Sequence, residues 1–262
     1  MPEKTNRNTP LLDIRNLSRH FGGLKAVDGV SFHVNEGEIV GLIGPNGAGK
    51  TTLFNLISGF LKPTAGEIYF RGLPIHGKRP NAIARLGVGR TFQIVKPFGE
   101  LSVRDNVLAG MGHNIYPSLQ AFLHVYHTPT AIARANDILE NVGLAAYADA
   151  RADTLPIGLQ RRLEIARALA LSPILLLLDE SAAGLTHQEA EDLAALIRDL
   201  RDRGITILLV EHNMRFAMNL CERIVVLNQG RILAEGTPEE IQTNPAVIEA
   251  YLGHSGVVRR EA

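Results

Sequence analysis

Along the chain, short apolar runs alternate with stretches whose apolar positions recur every three to four residues. VSFHV (30–34), EIVGLIG (38–44), EIYF (67–70), VGRTF (88–92), ILLLLDE (174–180), ITILLVEH (205–212) and RIVVLN (223–228) read as strands. ILLLLD and ITILLVE are apolar at successive positions, as strands of a parallel sheet covered on both faces are. Between them, residues 187–203 carry Leu193, Leu196, Ile197 and Leu200 at helical spacing. Strand, helix, strand predicts a βαβ core and an α/β fold.

The stretch from 94 to 159 breaks this alternation. It holds helical patterns, VRDNVLAG and PTAIARANDILENVGL, and no buried strand, which predicts a helical subdomain inserted into the sheet domain. Towards the C-terminus, NQGRILAEG (228–236) reads as a hairpin turn and a short strand. TPEE (237–240) then reads as a capping box with Pro238 at the first helical position.

Composition narrows the class. With 45% hydrophobic and 21% charged residues the chain is globular rather than disordered. A formal net charge of zero offers no global attraction to nucleic acid or an anionic membrane. The single cysteine, Cys221, excludes an internal disulfide, fits a reducing compartment and reads as a small buried hydrophobe. MPEKTNRNTPLLDI lacks the apolar run of a signal peptide, and no stretch approaches the ~20 apolar residues a spanning helix needs. The expectation is a soluble protein that reaches any membrane through a partner. His113, His124 and His127 in the helical stretch lack a supporting Cys or carboxylate pattern and read as a solvated face.

The chemistry is carried by GLIGPNGAGKTTLFNLISG (41–59). Gly44, Pro45, Asn46, Gly47, Ala48, Gly49, Lys50 and Thr51 spell G-x-x-x-x-G-K-[ST] between an apolar strand and a helix, the context that pattern requires, and Thr52 follows. The glycines let backbone N–H groups curl around a β-phosphate at the positive end of the helix. Lys50 is expected to reach the β- and γ-phosphates and the Thr51 hydroxyl to ligate Mg²⁺. Binding of a nucleoside triphosphate with Mg²⁺ follows.

Ligands of open α/β sheets bind beyond the carboxyl ends of the strands. ILLLLDE ends in Asp179-Glu180, ITILLVEH in Glu211-His212, and VGRTFQ in Gln93. Asp179 is expected to hold Mg²⁺ through water, Glu180 to orient and deprotonate the attacking water, His212 to contact the γ-phosphate, and Gln93 to sense the metal or the water. Each residue alone reads as a helix cap or a solvated loop position; together with the phosphate loop they read as a site.

These residues resemble the ATP-binding subunit of an ABC transporter, and the likeness spans nearly the whole chain. The resemblance implies a P-loop NTPase core of ABC type, with a mostly parallel sheet, an antiparallel N-terminal β subdomain and an inserted helical subdomain. In this frame residues 11–93 form the first part of the nucleotide-binding core and 94–159 the helical subdomain ending in the signature motif. Residues 160–236 form the second part of the core and 237–262 a C-terminal helical extension. The resemblance makes Phe21 the aromatic that stacks on adenine, Gln93 the Q-loop residue, Asp179 the Walker B aspartate, Glu180 the catalytic glutamate and His212 the switch histidine. LPIGLQRR stands where the family has a signature usually read LSGGQ, so Gly158 and Gln160 would cap the γ-phosphate of ATP held by a second subunit.

FGGLKAVDGVSF, RTFQIVKPFGELSVRDNV, RRLEIARAL and GTPEEIQTNPAVIEAYLG resemble ATPases of importers for branched-chain amino acids and their amide or urea relatives. That likeness implies two membrane permease subunits, a second ABC ATPase (a paralogue or a second copy) and, indirectly, an extracytoplasmic solute-binding protein. It implies a place on the cytoplasmic face of the plasma (inner) membrane and no nucleic-acid partner. Three departures stand against the pattern: Pro156 for the signature serine with Leu159 at another polar position, Ser181 for the proline after Asp-Glu, and Thr186 for the Asp or Asn of the D-loop. They predict a weakened signature, and they support the alternative of a weakly active or inactive nucleotide-binding regulatory subunit. Intact Glu180 and His212 argue for turnover.

Overall fold

The computed structural model describes residues 9–91, 97–111 and 128–255. Its strands are β1 (Leu12–Phe21), β2 (Leu24–Val34), β3 (Ile39–Ile43), β4 (Ala65–Phe70), β5 (Leu73–Pro74), β6 (Val88–Arg90), β7 (Leu175–Asp179), β8 (Thr206–Val210), β9 (Arg223–Asn228) and β10 (Arg231–Gly236). Its helices are α1 (Lys50–Ile57), α2 (Pro80–Arg85), α3 (Val103–Met111), α4 (Pro129–Asn141), α5 (Ile157–Leu169), α6 (His187–Asp202), α7 (Met214–Leu220), α8 (Pro238–Thr243) and α9 (Pro245–Ser255).

The strands form two sheets, an antiparallel one in the order β2-β1-β4-β5 and a larger one in the order β10-β9-β3-β8-β7-β6. In the larger sheet every described pairing is parallel except that of β10 with β9. The unbroken apolar runs are explained by their two neighbours. In β7, Leu176 and Leu178 join the core under α5 and α6, while Leu175 and Leu177 join the core shared with α1 and the antiparallel sheet. β8 alternates likewise, with Ile207 and Leu209 on one side and Leu208 and Val210 on the other. Successive side chains point to opposite faces, so a strand buried on both must be apolar throughout.

β1 and the first half of β2 were not among the strands read from the pattern. β1 pairs with β2 through register shifts between Ile14 and Leu17, Leu17 and Arg19, and Arg19 and His20, which scramble its alternation. Asn16 takes a positive φ of 46° within it. The antiparallel N-terminal sheet itself is present as expected.

Between the sheets' strands, α3 and α4 pack on α5 through Val107, Leu139 and Leu163. The expected division after residue 159 falls inside α5, because regular helical bonding starts from the Pro156 carbonyl. The three histidines of the helical stretch and Gln93 lie outside the described residues. The capping box before α8 is present, with Thr237 and Glu240 bonding each other's backbone amides and Pro238 at the first helical position. Cys221 is buried after α7, its sulfur packed against Gly41 of β3, and burial pushes its thiol well up.

Candidate nucleotide site

β3, β8 and β7 lie side by side and parallel, so the loops after them open at one edge of the sheet. The loop from Gly44 to Gly49 joins β3 to α1. Gly49 caps α1 at φ 104°, and a Cβ there would lie 2.3 Å from the Ala26 carbonyl oxygen, so conformation and space both demand glycine. Lys50 is only 6% exposed. Its ammonium bends back over the loop, donating to the carbonyls of Gly44 (2.6 Å) and Pro45 (3.0 Å). Burial lowers its pKa, while the Glu180 and Asp179 carboxylates pull the other way. A cleft of about 580 Å³ runs along this loop from Phe21 past Asn46, Thr51 and Thr52 to Glu180. Phe21 is 43% exposed at the end of β1, with the Arg19 guanidinium stacked on its ring at 4.5 Å.

Asp179 closes β7 and is 1% exposed. Its Oδ2 accepts from Arg90 at 3.0 Å. The same guanidinium donates to Asn55 Oδ1 (2.8 Å) and Ser58 Oγ (2.6 Å), tying β6, α1 and β7 together. Asp179 Oδ1 is buried without a hydrogen-bond partner among the described residues. Burial pushes this carboxyl above its ordinary range in spite of Arg90. A divalent cation reverses that balance, and an orphaned carboxylate oxygen beside a phosphate loop fits one.

Glu180 follows with φ +47°, a backbone conformation that costs a non-glycine residue about 1–2 kcal/mol. Its amide donates to Val210 O at 2.9 Å, which holds the turn against β8. Its Oε2 lies 3.8 Å from His212 Nδ1, so the two strand ends bring these side chains together. Strain of this kind gathers where structure over-determines a functional residue.

The segment around Pro156 explains one of the departures, that at Thr186. Pro156 is the N-cap of α5 and makes no side-chain capping bond. Gln160, expected at the phosphate, donates its side-chain amide to Leu155 O at 2.8 Å and braces its own loop. A Cβ on Gly158 would meet Glu189 Oε1 at 2.7 Å, so the Glu189 carboxylate lies against the start of α5. Glu189 is held by Thr186, the N-cap of α6, in a reciprocal capping box. Thr186 therefore does the capping work of an Asp or Asn. The pattern T-x-x-E at 186–189 announces it in the sequence. Ser181, in contrast, is buried with its hydroxyl unpartnered among the described residues, and nothing in the structure explains it.

Replacing the cap tests the cost of this departure. Pro156→Ser supplies a side-chain acceptor for the α5 amides, a gain of about 0.5–2 kcal/mol that raises Tm by about 1–8 °C. A calorimetric melt that leaves Tm unchanged or lowers it contradicts this account of the cap.

Arg90 and Glu211 were not singled out from the sequence. A lone Arg inside VGRTF has no local signal, since its partners Asn55, Ser58 and Asp179 are distant in the chain. Among the described residues no three His, Cys, Asp or Glu cluster as a metal site.

The family model described as "ABC transporter" matches residues 27–183, and one for the branched-chain amino acid ATP-binding cassette transporter matches residues 231–257. The chain is 48% identical over 254 residues to the high-affinity branched-chain amino acid transport ATP-binding protein LivG of Salmonella typhimurium, covering 94% of this chain and 99% of the other. It is 46% identical over 254 residues to BraF of Pseudomonas aeruginosa, which bears the same description, with the same coverage. Among solved structures, it resembles an ATP-binding cassette of an ABC transporter in its ADP conformation, with a TM-score of 0.85, 34% identity and coverage of 94% of this chain and 100% of the other. A dimeric bacterial ABC transporter cassette matches with a TM-score of 0.74 and 26% identity, over 87% of this chain and 98% of the other.

Proposed function

The chain belongs to the ABC transporter ATP-binding family, and from that premise we propose that it energises uptake of branched-chain amino acids or their close relatives. It is an ATP-hydrolysing importer subunit. The observation that carries the finer reading is the joint likeness, in the core and in the C-terminal segment 231–257, to proteins described as branched-chain amino acid transport ATPases. No helix among the described residues is long and apolar enough to cross a membrane. On this reading the chain works at the cytoplasmic face of the membrane, with two permease subunits, a second ABC ATPase and a solute-binding protein outside.

The assignments within the site are part of the proposal. Phe21 stacks on adenine, while the loop amides and Lys50 hold the phosphates. Thr51, Asp179 and Gln93 would hold Mg²⁺, whose bound charge would offset that developing on the phosphoryl oxygens. Arg90 keeps Asp179 aimed by engaging its other oxygen. Glu180 takes the proton of the attacking water, and His212, beside it, contacts the γ-phosphate and helps fix the geometry. The amides of Ile157, Gly158 and Leu159 precede the first helical bond of α5, Gln160 N–H to Pro156 O at 3.0 Å. Those amides, rather than the Gln160 side chain, would face the γ-phosphate of a partner's ATP.

The test is reconstitution with a permease pair in liposomes. Solute-binding protein loaded with leucine, isoleucine or valine is expected to stimulate ATP hydrolysis. Stimulation by an amide or urea and by none of these three defeats the branched-chain assignment while leaving the ATPase intact.

A further inference from the structure

Glu211 is an acid in the interior. It closes β8, is 0% exposed, and sits beside the reacting groups, yet no step above uses it. Its Oε1 accepts the amide of Ala182 at 2.9 Å, and its own amide donates to Leu42 O at 3.3 Å. Its Oε2 is buried without a partner among the described residues. Ala182 lies two residues beyond Glu180, in the turn that Glu180 enters with its strained φ. One residue after Glu211 comes His212, whose ring meets the Glu180 carboxylate at 3.8 Å.

We propose that Glu211 is a positioning residue for hydrolysis: its carboxyl anchors the turn after Glu180 to the end of β8 and thereby fixes Glu180 relative to His212. The inference rests on the assignment of Glu180 and His212 to the reaction. Glu180 N–H bonds Val210 O, and the Ala183 and Leu185 amides bond within the turn, to the Glu180 and Ala182 carbonyls. The Glu211–Ala182 bond thus ties the turn to the end of β8 beside the Glu180–His212 contact.

The link works in either charge state, because Oε1 accepts the Ala182 amide as carboxylate or as acid. Burial pushes the Glu211 carboxyl up to about 7; the Ala182 and Asn213 amides and Arg161 of α5 oppose the rise, and Glu180 adds to it. With a folded-state pKa above the unfolded one, the native state takes up a proton as pH falls through about 7, and stability declines as pH rises across that window. A neutral isostere that keeps the acceptor should therefore serve as well as the native residue.

Glu211→Gln keeps the acceptor and Glu211→Met fills the volume without one, so the pair isolates the bond. The full-length variants are compared by amide hydrogen exchange across residues 180–185 and by the kcat and KM of ATP hydrolysis. The expected result is native protection at Ala182 and kcat within about threefold of the wild type for Gln. For Met, protection is lost and kcat falls at least tenfold, with KM for ATP unchanged. Native protection in the Met variant overturns the anchor whatever the activity shows. Lost protection with native kcat shows that the anchor positions nothing, and an equal loss in Gln and Met shows that charge, not the bond, matters. Failure of the site assignment itself would appear separately, as full activity in Glu180→Gln.

Discussion

Lys50→Ala yields a chain that folds and does not turn over ATP. The Lys50 ammonium is buried and satisfied by two loop carbonyls, Gly44 and Pro45, and it is the cation that the phosphate loop itself contributes. When phosphates are bound, the same ammonium is within reach of them by rotating off those carbonyls. Removing one preorganised donor from a site of developing charge costs about 10²–10³ in rate. Here the lost group also carries a full charge, so the drop should reach at least that range. Truncation removes a desolvated ammonium rather than orphaning one, and it takes that donor from the carbonyls of the buried Gly44 and Pro45, so the fold should survive with a lowered Tm. Phosphate release measured alongside a thermal melt decides it. A folded variant that keeps more than a tenth of the native rate removes Lys50 from the reaction.

The second large effect is expected at Glu180. Glu180→Gln preserves shape and the acceptor facing His212 but removes the base, so hydrolysis should fall about 10²–10⁴-fold while ATP binding persists. Because bound ATP is then not consumed, this variant also reports whether the Pro156 end of α5 closes on nucleotide. Light scattering with ATP, with and without Mg²⁺, should show a monomer becoming a dimer. An undiminished hydrolysis rate would clear Glu180 of the role of base. Binding of ATP without a change in size means that two copies do not close on each other, and points to a different ATPase as partner.

Much of the site was legible because its signals are local. Gly44 to Thr51 are contiguous, and Asp179, Glu180 and His212 each follow a run of leucines, isoleucines and valines whose burial on two faces leaves little room for another reading. Arg90 and Glu211 were illegible for the opposite reason. Each acts through partners from 29 to 89 residues away, and a single charged residue in a strand gives no hint of what it meets. Gln160 is read towards the phosphate from its type alone, and its bond to Leu155 is not something the chain displays. β1 escaped because its bulges destroy the alternation by which half-buried strands are known. Thr186 shows a different limit, for its capping box is written in the sequence but was hidden by comparison with the usual D-loop residue.

The way Cys221 is packed decides how this protein can be watched. A buried thiol raised far above neutrality is both protonated and shielded, and so inert towards maleimides in the native state. Since the chain holds a single cysteine, the folded protein is already a blank background for thiol chemistry. A cysteine introduced at an exposed position such as Tyr147 would then be the one site to accept a fluorophore or spin label. Closure of two cassettes on ATP can thus be followed by distance, with no native residue removed to make the labelling specific.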